Sequence, residues 1–246
     1  ENTKPYFDLM YETVQSILAK SGHINHKYLK ESESDKKAVI VVTANRGLAG
    51  GYNSNITRMI IDEGFTKENT VVYAVGKKGR ELLERKGYEI KADYSEAIND
   101  PIYKDAKEIC DDVLSAFADG EVGEIYLAYT VFKNTVVHEP QLIRLLPVEA
   151  DDAAHETDGS EALMTYEPSE EEALDMIIPK YVCSLVYGAL IESVASENGA
   201  RMQAMDSATS NAEEMISTLS LKYNRARQAS ITQELTEIIA GANAIE

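Results

Sequence analysis

The sequence has few of the residues that mark metal sites and redox motifs. Its 246 residues include two cysteines, four histidines and no tryptophan. Cys110 and Cys183 lie far apart in the chain and outside any CxxC motif, so we predict two small buried side chains in a reducing compartment. The closest histidine pair, His23 and His26, is interpreted as solvated loop residues, with metal ligation as the minor alternative.

Positive charge is also scarce. The 24 Lys and Arg residues face 42 Asp and Glu residues, which gives a formal net charge of -18. Binding to nucleic acid requires clustered cations that displace counterions from phosphates, so nucleic acid is excluded as a partner. No apolar run approaches the roughly 20 residues that cross a bilayer, and we expect no direct lipid insertion. The first residue is Glu1 rather than Met, so we expect the sequence to begin inside a longer protein.

Short apolar runs alternate with helical patterns and predict an α/β domain. The runs "AVIVVT" and "TVVYAV" are rich in β-branched residues and are typical of strands buried on both faces. Strands separated by helices indicate a sheet with helices on its faces. An amphipathic helix is predicted before the first strand, and further elements are predicted after the second; in order they are Pro5–Ala19, a helix through Leu82 and Leu83, a strand at Glu89–Lys91, a helix at Pro101–Phe117, and the strands "EIYLAYTVF" and "VVHEPQLIRLLP".

The C-terminal third reads as one helical run. It follows an acidic loop, Val148–Glu161, and starts at the N-cap Ser169; Pro179 is predicted to kink or divide it. Apolar residues at steps of three or four form a seam that is broken once in the middle. The seam needs a partner, which is either the chain's own sheet domain, if the helix folds back, or another segment or protein. Its residues are Met205, Ala208, Ala212, Met215, Leu219, Tyr223, Ala226, Leu235, Ile238, Ala242 and Ile245.

The glycine-containing loop "NRGLAGGYN" follows the first strand. Glycines before a helix can cradle a phosphate, but the spacing matches neither the dinucleotide fingerprint nor the P-loop, so a tight turn is favoured over nucleotide binding. The segment "VGKKGR" is likewise read as a strand-to-helix turn. No grouping of Ser, His and Asp and no paired carboxylates indicate catalysis.

Several long stretches resemble one family. The C-terminal "ITQELTEIIAGANA" resembles the signature of the γ subunit of the rotary (F-type) proton-translocating ATP synthase, and "TANRGLAGGYNSN" and "SENGARMQAMDSATSNA" are similar to other parts of that family. The resemblance implies a Rossmann-like sheet domain with flanking helices, and a long C-terminal helix that forms an antiparallel coiled coil with the N-terminal helix. The implied domains are a remnant of the N-terminal helix at 1–30, an α/β foot at 36–166 and a helical shaft at 168–246. The family normally has a further basic stretch before "ENTKPYFDLM", which would cover much of the seam.

The resemblance also implies a function. The family forms the central stalk, or rotor shaft, which couples rotation of the c ring to ATP synthesis or hydrolysis at the β subunits and performs no bond chemistry itself. The implied partners are the α and β subunits, the ε subunit and the membrane c-subunit ring. The implied location is peripheral, on the cytoplasmic face of the bacterial plasma membrane. No catalytic residue, metal or cofactor is expected. The alternatives are a coiled-coil adaptor and an α/β nucleotide-binding protein or enzyme.

Family positions carried onto this sequence give candidate contact residues. Those matched to contacts with the β subunits are Arg46, Arg201, Gln228, Thr232 and Glu234. Those matched to contacts with the c ring are Tyr166 and Glu167, for which a plain surface turn is the alternative. The family more often has Asp and Cys at the positions of Asn45 and Ala49.

Overall fold

The computed structural model describes residues 26–29, 34–148 and 170–243. The predicted helix at Pro5–Ala19, the acidic loop beyond residue 148, and His23, Tyr166 and Glu167 lie outside these ranges. Among the described residues the chain forms five strands and four α-helices in the order βαβαβαββα. The strands are β1 (Lys37–Val42), β2 (Thr70–Val75), β3 (Glu89–Asp93), β4 (Glu124–Phe132) and β5 (His138–Leu146). The helices are α1 (Tyr52–Asp62), α2 (Lys77–Arg85), α3 (Tyr103–Ala118) and α4 (Glu170–Asn243), and a short 3-10 helix covers Ser95–Ile98.

The five strands form one sheet in the order β3-β2-β1-β4-β5. The first four strands run parallel, and β5 pairs antiparallel with β4. In the central strand Ile40 lies opposite Tyr73 of β2 and Leu127 of β4. The α/β fold class predicted from the sequence is confirmed.

Side chains of β1 alternate between two apolar layers. Ala38, Ile40 and Val42 belong to one buried cluster, whereas Val39 and Val41 belong to the other. Because successive side chains of a strand point to opposite faces, a run of five apolar residues fills both layers at once. Helices α3 and the start of α4 cover the first layer, and α1 and α2 cover the second.

Helix α4 begins as a core helix of the sheet domain. Every fourth residue from Leu174 to Leu190 is fully buried, as expected for one face of an α-helix. Pro179 lies inside this stretch, and α4 continues through it as a single helix. The proline removes the hydrogen bond to the carbonyl of Asp175, and we attribute the continuity to the burial on both sides of it.

This burial also explains an apolar window that inspection of the sequence did not single out. An 18-residue window of α4 reaches a mean hydropathy of 1.5, which is enough by length and composition to cross a membrane. Half of that window is buried inside the protein. Its apolar character is therefore that of a core helix, as the packing of Leu174 to Leu190 shows.

The chain divides into two compact units, Glu1–Arg201 and Met202–Glu246. In the second unit every described side chain from residue 205 to residue 241 is exposed. The seam residues Met215, Tyr223 and Ile238 are each about two-thirds exposed. Among the described residues α4 continues to Asn243 without an interrupting turn.

His26 differs from its sequence interpretation. It is not a solvated loop residue, because its side chain is 3% exposed and its Nε2 lies 3.2 Å from Asp175 Oδ1. Lys27 Nζ lies 2.8 Å from the same carboxylate oxygen. A polar sequence neighbourhood did not reveal that α4 would cover this histidine.

Candidate partner-contact surfaces

The first candidate surface is the loop between β1 and α1, residues 43–51, called here the Arg46 loop. Its first end is held by hydrogen bonds between side chains and backbone. Asn53 Oδ1 accepts the Ala44 N–H at 2.8 Å, and Asn45 Oδ1 accepts the Lys77 N–H at 2.9 Å. Asn45 Nδ2 also donates to the Ser95 carbonyl at 2.7 Å. These bonds join the ends of β1, β2 and β3, so the loop rests on a fixed base.

The far end of the loop is tied to α4. Tyr52 is buried, and its hydroxyl donates to the Ser193 carbonyl at 3.0 Å. Burial raises the pKa of Tyr52 well above its usual range, so the phenol keeps its proton and remains a donor. Ala49 packs beside Tyr52 in a small apolar cluster with Ala44. The loop is therefore anchored on both sides of its tip.

The tip itself projects into solvent. Arg46 is exposed, and Leu48 is 72% exposed with a backbone φ of 63°. A non-glycine residue with positive φ is uncommon and is found at sites where the surrounding structure fixes the backbone. Leu48 was not predicted from the sequence, because a single leucine between Gly47 and Ala49 carries no signal of its conformation or exposure. The loop thus presents one cation and one apolar side chain from a rigid support.

The same geometry bears on the phosphate-cradle alternative. An anion at the ends of β1 and β2 would need free backbone N–H groups there. Those of Ala44 and Lys77 are bonded to asparagine side chains, and that of Gly79 donates to Thr43 Oγ1 at 2.9 Å. The turn is therefore occupied by its own side chains.

The second candidate surface is α4 from residue 202 onward, called here the distal helix. Gln228 and Thr232 lie four residues apart and share one face, opposite the seam residues Tyr223 and Ala226. Glu234 points to a different side, nearer the seam. All three proposed contact residues are exposed. The backbone carbonyl of Thr232 accepts the Thr236 hydroxyl at 2.8 Å, a bond inside the helix that does not involve the Thr232 side chain.

Arg201, the remaining residue matched to the β subunits, is the last residue of the first compact unit. Its Nη2 lies 2.6 Å from Glu197 Oε1, one helical turn earlier, and both side chains are partly buried. A guanidinium has five N–H donors, so this ion pair leaves further donors for a partner. The structure therefore brings Arg46 and Arg201 to one unit and Gln228, Thr232 and Glu234 to the other.

The fold and these surfaces define a class of protein. A sheet domain that continues into an exposed helix with an apolar seam is typical of a subunit whose helix is covered by other chains of an assembly. In the part of the chain that the structure describes, no three His, Cys, Asp or Glu side chains converge on a possible metal site.

Comparisons with known proteins identify the assembly. A family model described as ATP synthase matches residues 1–245. The ATP synthase gamma chain of Lachnoclostridium phytofermentans is 66% identical over all of this chain and 86% of its own length. The gamma chain of Acetobacterium woodii, described as sodium ion specific, is 41% identical over the same shares. A chain of the Euglena gracilis mitochondrial ATP synthase matches with a TM-score of 0.64 at 18% identity, covering 100% of this chain and 91% of that one. The chain belongs to the gamma-chain family of the ATP synthases.

The family assignment confirms the resemblance seen in the sequence. It makes the chain a stalk subunit of the rotary complex, in which catalysis belongs to other subunits. The chain is thus part of a membrane-associated complex. The domain boundaries and the individual contact residues stay predictions.

Proposed function

We propose that this chain is the rotor shaft that couples rotation of a membrane c ring to ATP synthesis or hydrolysis at the β subunits. The observation that supports it most directly is the distal helix, whose described side chains from 205 to 241 are all exposed although many are apolar. An exposed apolar seam of this length is unfavourable in water and marks a surface that other chains cover. We infer that the N-terminal helix of the chain and the α and β subunits cover it, and that the ε subunit and the c ring bind the sheet domain.

The finer location is also a proposal, supported by the source of the relatives. Gamma chains similar to this one come from bacteria such as Lachnoclostridium phytofermentans and Alkaliphilus metalliredigens. In a bacterium the complex is attached to the plasma membrane, and we place this subunit peripherally on its cytoplasmic face. One gamma chain of similar sequence is described as sodium ion specific. We therefore expect the choice of coupling ion to depend on the membrane ring rather than on the gamma chain.

Arg201 and Gln228 are the sharpest test of the shaft contacts with the β subunits. A hydrogen bond to a charged group, shielded from water, contributes about 1.5 to 3 kcal/mol. Replacing both residues by leucine should therefore lower the ATPase activity of the assembled complex, or its assembly, by roughly tenfold or more. Full activity and full assembly of this double variant would refute the contact.

Two control variants separate contact from helix stability. Gln233→Leu makes the same chemical change five residues beyond Gln228, where the amide bonds Glu237 Oε1 at 3.0 Å within the helix. It should leave activity within about twofold. Glu197→Gln weakens the ion pair of Arg201 but keeps the guanidinium, so it reports the structural part of that pair alone.

Arg46 is proposed to approach an acidic segment of a β subunit. Arg46→Ala should reduce the ATPase rate of the assembled complex, and the reduction should shrink as salt screens the contact. Arg58→Ala removes another exposed arginine, from α1 of the same sheet domain, and should have little effect. Equal rates for the two variants would argue against a contact at Arg46.

Tyr166 and Glu167 are proposed to contact the c ring. Replacing both by alanine should weaken the coupling of ATP hydrolysis to ion pumping in membrane vesicles while hydrolysis itself continues. Unchanged pumping per ATP would remove these residues from the interface.

A further inference from the structure

The N-terminus of helix α2 is capped by a segment from outside the helix. Its own N-cap residue is Gly76, which makes no side-chain hydrogen bond to the first turn. The first backbone N–H groups of a helix have no partners inside the helix and need acceptors from elsewhere. The three residues that follow β1 supply these acceptors; they are Thr43, Ala44 and Asn45.

The capping bonds run along the two segments in opposite directions. In chain order the N–H groups of residues 77, 78 and 79 donate to Asn45 Oδ1, the Ala44 carbonyl and Thr43 Oγ1, at 2.9, 3.0 and 2.9 Å. The Thr43 N–H in turn donates to the Val75 carbonyl at 2.8 Å. Residues 43–45 and the first turn of α2 are therefore fixed to each other at every step.

Asn45 extends this unit to the 3-10 helix and the residue after it. Its amide nitrogen donates to the Ser95 carbonyl at 2.7 Å and to Asn99 Oδ1 at 2.9 Å. The three partners of the side chain lie 32, 50 and 54 residues further along the chain. An amide provides two N–H donors and a carbonyl acceptor on one short side chain, and all three kinds of bond are made here.

We propose that Asn45 is the positioning residue for Arg46, the next residue in the chain. Its three side-chain bonds and the bonds of Ala44 fix the backbone from which Arg46 leaves, whereas residues 46 to 48 themselves are exposed. A cation on fixed backbone loses less conformational entropy when it meets a partner than a cation on a mobile loop. The assignment rests on the proposed contact of Arg46 with a β subunit, and it names the residue that orients the arginine for that contact.

Asn69 provides a matched control at the other end of the sheet. It is partly buried like Asn45, and its Oδ1 also makes three bonds within the protein. It accepts the Thr66 N–H at 3.1 Å and the hydroxyls of Thr66 and Thr70 at 2.9 and 3.0 Å. Asn69 precedes β2 and Asn45 follows β1, which is parallel to β2, so the two asparagines lie at opposite ends of these strands. Asn69→Ala therefore removes a similar set of bonds away from the Arg46 loop.

The first measurement follows the backbone of the full chain by nitrogen-15 NMR. Asn45→Ala should speed amide exchange at Lys77, which loses its acceptor, and should lower the heteronuclear Overhauser effect at Arg46, which reports fast backbone motion. Asn69→Ala should change neither quantity. Because loss of a helix cap can impair folding, Asn99→Ala is measured in parallel; it removes one partner of Asn45, leaves α2 capped, and should loosen Arg46 to a smaller extent. Unchanged backbone order at Arg46 in both variants would overturn the proposal.

The second measurement is a double-mutant cycle on the ATPase rate of the assembled complex. At low ionic strength Arg46→Ala should lower the rate by about 1.5- to 5-fold, the size expected for one exposed ion pair. Asn45→Ala should also lower the rate, and the double variant should be no slower than Arg46→Ala alone, to within about 1.5-fold. Both single effects should shrink at about 0.15 M salt, where the Debye length is about 8 Å. Asn69→Ala should leave the rate within about 1.5-fold and should add independently to Arg46→Ala.

The cycle separates failure of the positioning role from failure of the contact. A loss in Asn45→Ala that is independent of salt and additive with Arg46→Ala would show a general structural role and overturn the proposal. An unchanged rate in Asn45→Ala beside a reduced rate in Arg46→Ala would also overturn it, and the contact of Arg46 would stand. An unchanged rate in Arg46→Ala itself would remove the contact, and the role of Asn45 would fall with it.

Discussion

Gly76 holds the base of the Arg46 loop in place, and replacing it by alanine should be among the most damaging single changes in the sheet domain. The residue joins β2 to α2 with φ 118° and ψ 129°, a conformation that is accessible essentially to glycine. A Cβ atom at this position would lie 2.1 Å from the carbonyl oxygen of Thr43, a backbone atom that cannot swing aside. Backbone strain and steric overlap therefore act together.

The expected loss can be estimated from its parts. Strained backbone at such a position costs on the order of 1 to 3 kcal/mol. Overpacking against a fixed neighbour costs about 1 to 3 kcal/mol more. The lower entropy of the unfolded chain offsets this by about 0.4 to 1 kcal/mol. Gly76→Ala should thus destabilise the chain by roughly 2 to 5 kcal/mol.

Two other glycines provide matched controls. Gly120 has φ 73°, but a Cβ atom there would have no neighbour within 4 Å, so Gly120→Ala reports backbone strain alone, about 1 to 2 kcal/mol. Gly47 has neither a positive φ nor a close neighbour, and Gly47→Ala should change stability by less than about 1 kcal/mol. Urea unfolding followed by circular dichroism, with the m-values compared, measures the change in the free energy of unfolding for all three variants. A Gly76→Ala variant no less stable than Gly120→Ala would show that Thr43 does not confine this glycine.

Two further predictions concern α4. A Cβ at Gly199 would lie 2.6 Å from His138 Cε1, so Gly199→Ala should destabilise the chain by about 1 to 3 kcal/mol. In a His138→Ala background the same change should stabilise the chain by about 0.5 to 1 kcal/mol, because the overlap is gone and alanine favours the helix. Urea unfolding measures both effects, and the same sign in both backgrounds would refute the steric explanation. The hydrogen bond from Lys27 lowers the pKa of Asp175. The ionised carboxylate therefore contributes stability above the unfolded-state pKa of about 3.9, and this contribution is lost as the pH falls through the folded-state pKa. Asp175→Asn should be less stable than the native chain at pH 7 and equally stable in acid, and a constant difference in the free energy of unfolding at all pH values would contradict this linkage.

The sheet was largely predictable because its central strands carry their own signal. The runs around Ile40 and Tyr73 are rich in β-branched residues and are buried at every position except Lys37, as expected for strands covered on both faces. The bounds of β4 agreed with the quoted segment, and α3 began two residues later than predicted. The pattern of apolar residues reflects how a segment is buried, and these strands are buried along nearly their whole length.

The juxtapositions were not predictable, because they depend on which distant segments meet. Cys110 and Cys183 were expected to be buried, but nothing in either neighbourhood indicates that both belong to one apolar cluster. His26 sits in a polar stretch and is nevertheless buried beneath α4 beside Asp175. Leu48 combines 72% exposure with a positive φ, and the local sequence indicates neither property. Such contacts are properties of the packed chain and leave no mark on local sequence.

The continuity of the distal helix has a consequence for how its length can vary. Within residues 205–241 there is no loop to absorb an inserted or deleted residue. Removing one residue there turns everything beyond it by about 100° and shifts it by about 1.5 Å along the axis. A deletion between Leu219 and Gln228 would therefore rotate Gln228 and Thr232 by about 100° relative to Met215 and Leu219. Seven residues added or removed come close to two whole turns, so length changes in this segment should be tolerated only in steps that preserve angular phase.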